Sequence, residues 1–341
     1  MKILLIGGTG FIGPCVVHEL VRGGHHATIY SRGTSRAELP DGVDRIVGTR
    51  DDIGAHREEF RRLTPDVVVD FILSSGAQAE ISMNTFRGIA KRIVVLSSGY
   101  VYRACGILYG FESGPLQPLP LRENAELRTR QNPYPPEVLA RVRQVYPWVG
   151  DAYDKIPVEQ IAMSDRELRG TVLRLPMVYG PGDPLHRLFP HLKRMDDQRP
   201  AILLQEDAAR WRGPRGYVEN VAAAIALATV SEHAAGEIYN IAEPDAHTEA
   251  EWVGRIGRAV GWNGKVVSVP KDSTPSHLRV PYNSEQDWVY DTTKIRQQLG
   301  FTEPLEESEA LRRTIAWERE SPPAFAPEQF DYAAEDQVLH I

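Results

Sequence analysis

The feature that most restricts this chain is a short apolar strand, Lys2–Ile6, running straight into a glycine-rich turn and then a helix. The turn reads Gly7-Gly8-Thr9-Gly10-Phe11-Ile12-Gly13. A glycine at the strand exit permits a tight bend with positive φ. Gly10 has no side chain to hold a pyrophosphate away from the backbone, and Gly13 lets the helix pack closely on the sheet. Free N–H groups at the helix start, with the helix dipole, attract phosphate. Pro14 falls in the first turn, where its missing N–H costs little. Strand, turn and helix in this order create the expectation of a bound dinucleotide.

The remainder of the chain alternates in the same way. Strands are expected at 26–30, 45–47, 66–71, 92–96, 171–175 and 237–241, and helices at 11–21, 53–63, 77–90, 155–168, 185–195 and 217–230. The continuous apolar run at 66–71 suits a strand buried on both faces. The rhythm predicts an α/β fold, a doubly wound parallel Rossmann sheet spanning 1–179 that also receives 217–241. Helices at 249–260 and 306–319 fall outside it, so a smaller C-terminal substrate lobe is expected from 180–216 and 242–320. The stretch 103–150 breaks the rhythm with Pro115, Pro118, Pro120, Pro133, Pro135, Pro136 and Pro147. Such a long irregular segment reads as a lid over the site. Residues 321–341, rich in Pro, Ala and acid, read as a loosely held tail.

Composition narrows the function classes. The net charge of −7 disfavours nucleic acid as a partner, which would need a basic field. No stretch reaches the roughly 18 apolar residues of a membrane span, and the start lacks the pattern of a secretory signal. Cys15 and Cys105 fit no metal or redox spacing, so a reduced, cytoplasmic protein is expected. His186 and His191 stand five apart, whereas paired metal ligands on a helix want three or four, so no metal is expected. His25-His26 read as surface residues and Cys15 as a small core residue.

The end of the second strand bears on which dinucleotide binds. An acid there would bond the ribose 2′-hydroxyl of NAD. This chain has Ser31-Arg32-Gly33-Thr34 instead. Arg32 can pair with a 2′-phosphate while Ser31 and Thr34 donate hydrogen bonds to it, so NADP is expected, with NAD as the alternative.

From residue 1 to about 301 the chain resembles the extended short-chain dehydrogenase/reductases, the NAD(P)-dependent epimerase/dehydratase family. Residues 7–13 match its glycine signature, and Leu96-Ser97-Ser98-Gly99-Tyr100-Val101-Tyr102 its fifth-strand motif. Lys155 with Glu159 matches the end of its Tyr-x-x-x-Lys helix. Arg174-Leu175-Pro176-Met177-Val178-Tyr179-Gly180-Pro181-Gly182-Asp183 looks like its arginine strand and Tyr-Gly-Pro turn, and Tyr217-Val218-Glu219-Asn220-Val221-Ala222 its second-lobe helix start. Tyr239-Asn240-Ile241 and Tyr290-Asp291-Thr292-Thr293-Lys294 match later landmarks.

The resemblance implies a homodimer and a catalytic Ser, Tyr and Lys. A tyrosine exchanging a proton with a carbinol near neutral pH needs help from a lysine ammonium, because its ordinary pKa is about 10. Ser98 and Lys155 fall at the family positions, and Lys155 would also hold the nicotinamide ribose. Phe71, Ser97, Pro176 and Val178 are further expected cofactor contacts, and Tyr100 a substrate contact. The position four before Lys155 is Asp151, a departure from the family pattern. Tyr153, two before it, would face away on a regular helix but could serve if the helix starts beside it. Otherwise Asp151 fills the slot, or Tyr100 or Tyr134 replaces it. Arg210, Arg212 and Arg215 lie where the family reaches the distal end of its substrate; Arg212 and Arg215 are expected to meet a small, anionic one. Met177 stands where nucleotide-sugar enzymes of the family often carry asparagine, and a thioether cannot donate that hydrogen bond.

Two functions stay open. One is an oxidoreductase that moves a hydride at an alcohol or ketone carbon of a sugar-like or other small polar substrate, as a reductase, epimerase or dehydratase. The other is a non-catalytic, regulatory dinucleotide-binding protein, which the absent tyrosine favours.

Overall fold

The structure is a computed structural model and describes every residue except Arg36, Asn132, Pro133, Pro135 and Ile341. Its strands, in chain order, are β1 (Lys2–Ile6), β2 (His26–Ser31), β3 (Asp44–Val47), β4 (Val67–Asp70), β5 (Arg92–Ser98), β6 (Arg169–Leu175), β7 (Met177–Tyr179), β8 (Ala201–Gln205), β9 (Arg215–Tyr217), β10 (Ile238–Asn240) and β11 (Lys265–Val269). Seven of them form one sheet in the order β10-β6-β5-β4-β1-β2-β3, and every pairing in it is parallel. The chain reverses direction across the sheet between β1 and β4, and ligands of open α/β sheets bind at the carboxyl ends beside such a reversal.

The helices are α1 (Gly13–Arg22), α2 (Arg57–Leu63), α3 (Gly76–Phe86), α4 (Arg103–Leu108), α5 (Pro136–Val145), α6 (Lys155–Ser164), α7 (Phe189–Asp196), α8 (Glu206–Arg210), α9 (Val218–Val230), α10 (Glu249–Ala259), α11 (Thr293–Leu299), α12 (Glu307–Glu320) and α13 (Tyr332–Leu339). Side chains alternate between the two faces of the sheet. Ile3, Leu5, Val67, Val69, Val94 and Leu96 join one core with α1 and α9. Leu4, Ile6, Val68, Ile93 and Val95 join the other with α2, α3 and α6. Both faces are covered, which is why these strands read as unbroken apolar runs.

Outside the main sheet, β7 pairs with β9 and β8 with β11, each pair parallel. These strands lie beyond the sequence reading, because elements of three to five residues carry too little periodicity to stand out. The helix expected at 185–195 starts only at Phe189. His186 takes a left-handed φ of 46°, and the Asp183 carboxylate accepts the N–H groups of Leu185 and Arg187, which closes a turn there.

Two expectations are overturned. The segment 103–150 is not free of regular structure, since α4 and α5 lie within it. Pro136 opens α5, where proline is well tolerated, and Pro147 lies beyond its end; Pro133 and Pro135 are outside the described residues. The C-terminal segment is not loosely held. Glu335 of α13 is fully buried, pairs with Arg194 at 2.6 Å and accepts from His277 at 3.0 Å. Phe330 packs on Phe325 and Phe189, and Arg194 lies over its ring at 4.8 Å. Removing one partner of a buried ion pair costs about 3–5 kcal/mol. Glu335→Ala should therefore lose about that much stability in urea unfolding, whereas a change below about 0.5 kcal/mol, usual for exposed sites, would show the segment to be peripheral.

Candidate active site

The glycine-rich turn leaves β1 with Gly7 at φ 89° and Gly8 at φ 80°. Phe71, just past β4, packs against both glycines. A Cβ at Gly10 would meet nothing within 4 Å, so the turn is open where a pyrophosphate would approach. A Cβ at Gly13 would lie 2.3 Å from the Gly8 carbonyl carbon, so the close approach that Gly13 permits is to the turn itself rather than to the sheet. Ile12 provides no side-chain cap for α1, and the first turn holds no acid, so its N–H groups face outward uncapped. An open cradle on an uncapped helix N-terminus fits a dinucleotide pyrophosphate, with Gly7, Thr9, Gly10, Phe11, Ile12 and Gly13 around it. Ser35 donates to the Thr9 carbonyl at 3.0 Å, which ties the loop after β2 to this turn. Ser31 is half-buried there, and Arg32 and Thr34 are exposed.

Lys155 is the first residue of α6 and is buried. Its Nζ donates to the carbonyls of Leu73, after β4, and Leu96, in β5, the latter at 3.0 Å. The same Nζ lies 5.0 Å from the centre of the Trp148 ring and 5.9 Å from that of Tyr153. Burial lowers its pKa to about 8, opposed by the nearby Asp70 carboxylate. Asp154 caps α6 by accepting the Ile156 N–H, and pairs with buried Arg128 at 2.7 Å.

Since α6 begins at Lys155, Tyr153 lies outside the helix and escapes the opposite-face geometry of a regular turn. Its ring is half-buried, and no described group bonds its hydroxyl. Burial, then Tyr100, pushes that hydroxyl above the usual phenol range. Asp151, by contrast, is almost fully exposed and pairs with Arg143 on the surface, so the family's tyrosine position points away from Lys155. Ser98 ends β5, and its Oγ accepts the Tyr100 N–H at 3.4 Å.

Ser97 is placed differently from expectation. Its hydroxyl donates to Glu159, which also binds Arg174 at 2.7 Å. Arg174 lies 4.7 Å over the Tyr102 ring, and the Tyr102 hydroxyl donates to Asn240 at 2.6 Å. With its hydroxyl engaged, Ser97 has only main chain to offer a cofactor. Pro176 follows β6, while Val178 is buried and its carbonyl accepts from Arg187 at 2.8 Å.

The three arginines expected to share a pocket do not meet. Arg210 pairs with Glu206 on the surface of α8. Arg215 is buried, pairs with Glu249 and lies 4.8 Å over Trp252. Arg212 is exposed like Arg210, and its N–H donates to Asp287 at 2.9 Å. Sequence reading missed two arginines near the site, Arg128, which donates to the Tyr100 carbonyl at 2.7 Å, and Arg187. Arg187 pairs with buried Asp183 at 2.6 Å and lies near the hydroxyl of Tyr146. Trp148, inside a proline-bounded stretch, was missed as well, and no local pattern announces its contact with Lys155. Tyr100 stacks on Tyr109 with their hydroxyls 3.0 Å apart. His186 bonds Glu318 and His191 lies near Glu249; no cluster of three metal-ligating side chains occurs among the described residues. Cys15 packs partly buried against the core, and burial raises its pKa to about 11.

Among the described residues no helix is long and apolar enough to cross a membrane. Comparison with known proteins places similar chains among sugar-modifying enzymes. The 2′-dehydrokanamycin reductase of Streptomyces kanamyceticus is 26% identical over 302 residues, covering 85% of this chain and 77% of that protein. A UDP-N-acetyl-alpha-D-glucosaminuronate decarboxylase of Bacillus cytotoxicus is 23% identical, covering 94% and 98%. The fold is shared with UDP-glucose 4-epimerase of Thermotoga maritima (TM-score 0.64, 20% identity, covering 95% of this chain and all of that one). It is shared equally with a dTDP-glucose 4,6-dehydratase of Streptomyces venezuelae that has NAD bound (TM-score 0.65, 20% identity, 96% and 100%). The family model matched over residues 3–242 agrees with the turn, the parallel sheet and Lys155: this chain belongs to the NAD dependent epimerase/dehydratase family.

Proposed function

We propose that this protein reduces a ketone carbon of a small cyclic substrate with NADPH. The observation that carries the reading is the buried Lys155 ammonium beside a half-buried Tyr153 whose hydroxyl has no described partner, with Ser98 at the end of the neighbouring strand. The bound dinucleotide supplies the hydride. Tyr153 gives its proton to the substrate oxygen as the alcohol forms, and Ser98 donates a hydrogen bond to the same oxygen. Lys155 holds the nicotinamide ribose. A phenol kept protonated by burial suits the reductive direction, in which it acts as an acid; oxidation would need the phenolate, which the same burial disfavours. The reductase relative supports this direction.

Arg32, exposed after β2 with Ser31, Gly33 and Thr34 as its chain neighbours, supports NADP as the partner dinucleotide. Arg32→Ala should raise the KM for NADPH about tenfold or more, the worth of a hydrogen bond to a charged group, while the KM for NADH stays near its starting value. Equal losses for both cofactors would reject the 2′-phosphate role.

Tyr153→Phe should lower kcat by about 10²–10⁴ with little change in the KM for substrate, in steady-state assays following cofactor absorbance and product. A similar loss in Tyr134→Phe with none in Tyr153→Phe would assign the proton to Tyr134 instead.

Folded Lys155 loses its proton near pH 8, whereas in the unfolded chain it keeps it to about 10.5. Between these values the unfolded state binds more protons, so the unfavourable contribution of the buried charge fades as pH rises. The stability of the wild type relative to Lys155→Met should thus increase by up to about 3 kcal/mol from pH 7.5 to 10 in urea unfolding. A difference independent of pH would show that the ammonium is not desolvated.

A further inference from the structure

We infer that the substrate-binding wall is built for a neutral sugar ring stacked on aromatic faces, rather than for a nucleotide-diphosphate sugar; this rests on the reductase reading above. Five rings succeed one another in contact. Trp148 meets Tyr153 at 6.2 Å, Tyr153 meets Tyr134 at 5.6 Å, Tyr134 meets Tyr100 at 6.1 Å, and Tyr100 meets Tyr109 at 5.4 Å between centroids. All five are half-buried rather than sealed into the core. The row starts at the Lys155 ammonium and passes Tyr100, two residues beyond Ser98, so it borders the place where the proton would be transferred.

The chemistry of this wall selects its ligand. Aromatic faces are electron-rich and attract the weakly positive C–H bonds on the flat side of a pyranose. The hydroxyls of Tyr134 and Tyr153 have no partner among the described residues, so both can bond the hydroxyl rim of such a ring. A diphosphate needs uncompensated cations, and four of the arginines are already paired: Arg187 with Asp183, Arg128 with Asp154, Arg215 with Glu249 and Arg210 with Glu206, while Arg212 is exposed outside the row and the exposed Arg130 lies over the Phe111 ring. The same pairing compensates Asp183 and Asp154, so neither offers a polyamino sugar a free carboxylate. A ring with neither charge uses the aromatic faces and the hydroxyls of Tyr134 and Tyr153 without displacing a partner from any of these pairs.

The test is calorimetric binding to the full-length protein loaded with NADP, using methyl glucopyranoside, UDP-glucose and a tetraamino disaccharide as probes. Methyl glucopyranoside should bind about tenfold or more tightly than either charged probe. Tyr134→Ala should weaken its binding about tenfold, and Tyr134→Phe, which keeps the ring, should restore most of it. Affinity for NADP in each variant reports that the fold is retained. Tighter binding of UDP-glucose or of the polyamino probe would overturn the proposal, as would neutral-sugar binding indifferent to Tyr134→Ala. Because binding is read without turnover, a protein that binds the neutral sugar but never oxidises NADPH with its ketone would defeat the reductase reading while leaving the ring-stacking wall intact.

Discussion

One buried ammonium holds the site together. Taking the charge of Lys155 out of water is unfavourable unless hydrogen bonds and nearby electron density replace the lost hydration. Here the replacements come from separate parts of the chain. The Leu73 carbonyl belongs to the exit of β4, the Leu96 carbonyl to β5, and the Trp148 and Tyr153 faces to the end of the inserted segment. Each must be in place for the ammonium to be tolerated, so Lys155 sets the sheet, α6 and the insertion in one relation. Ser74 strengthens the same junction, since its hydroxyl accepts the Gly150 N–H and its carbonyl the Asp154 N–H.

One turn further along α6, Glu159 lies on the same helix face and anchors a second polar cluster. Ser97, Arg174, Tyr102 and Asn240 complete it, and each buried polar group in the chain of contacts finds a partner. Such a network rigidifies when it is fully satisfied. It ties β5, β6 and β10 to α6 beneath the site, and it explains why adjacent serines differ in role. Ser97 points into this cluster, whereas Ser98 ends the strand and caps the turn leading to Tyr100.

Above that base lies the inserted segment between β5 and α6, on which the proposed substrate wall rests. Its prolines do not abolish structure but bound it, one opening α5 and another following it. What it brings to the carboxyl ends of β4 and β5 is aromatic surface, with Arg128 paired to Asp154. An electrostatic grip on a substrate would require unpaired cations.

The strand–glycine turn–helix unit was legible because short-range geometry specifies it: positive φ at Gly7, an uncapped helix start and no side chain at Gly10. The central strands were legible because burial on both faces removes polar residues from them. By themselves, then, the residues determined a parallel sheet and the open glycine turn at the carboxyl end of its first strand, while the family resemblance pointed to Lys155. Tertiary structure alone decided which partner each charged or aromatic group would take. It sent Asp151 to the surface with Arg143, withdrew Arg215 to Glu249, sealed Glu335 of the C-terminal segment against Arg194 and laid Trp148 on Lys155. Those pairings join residues from 7 to 141 positions apart, and no local periodicity encodes them. Long-range desolvation and charge compensation select them only once the fold has formed.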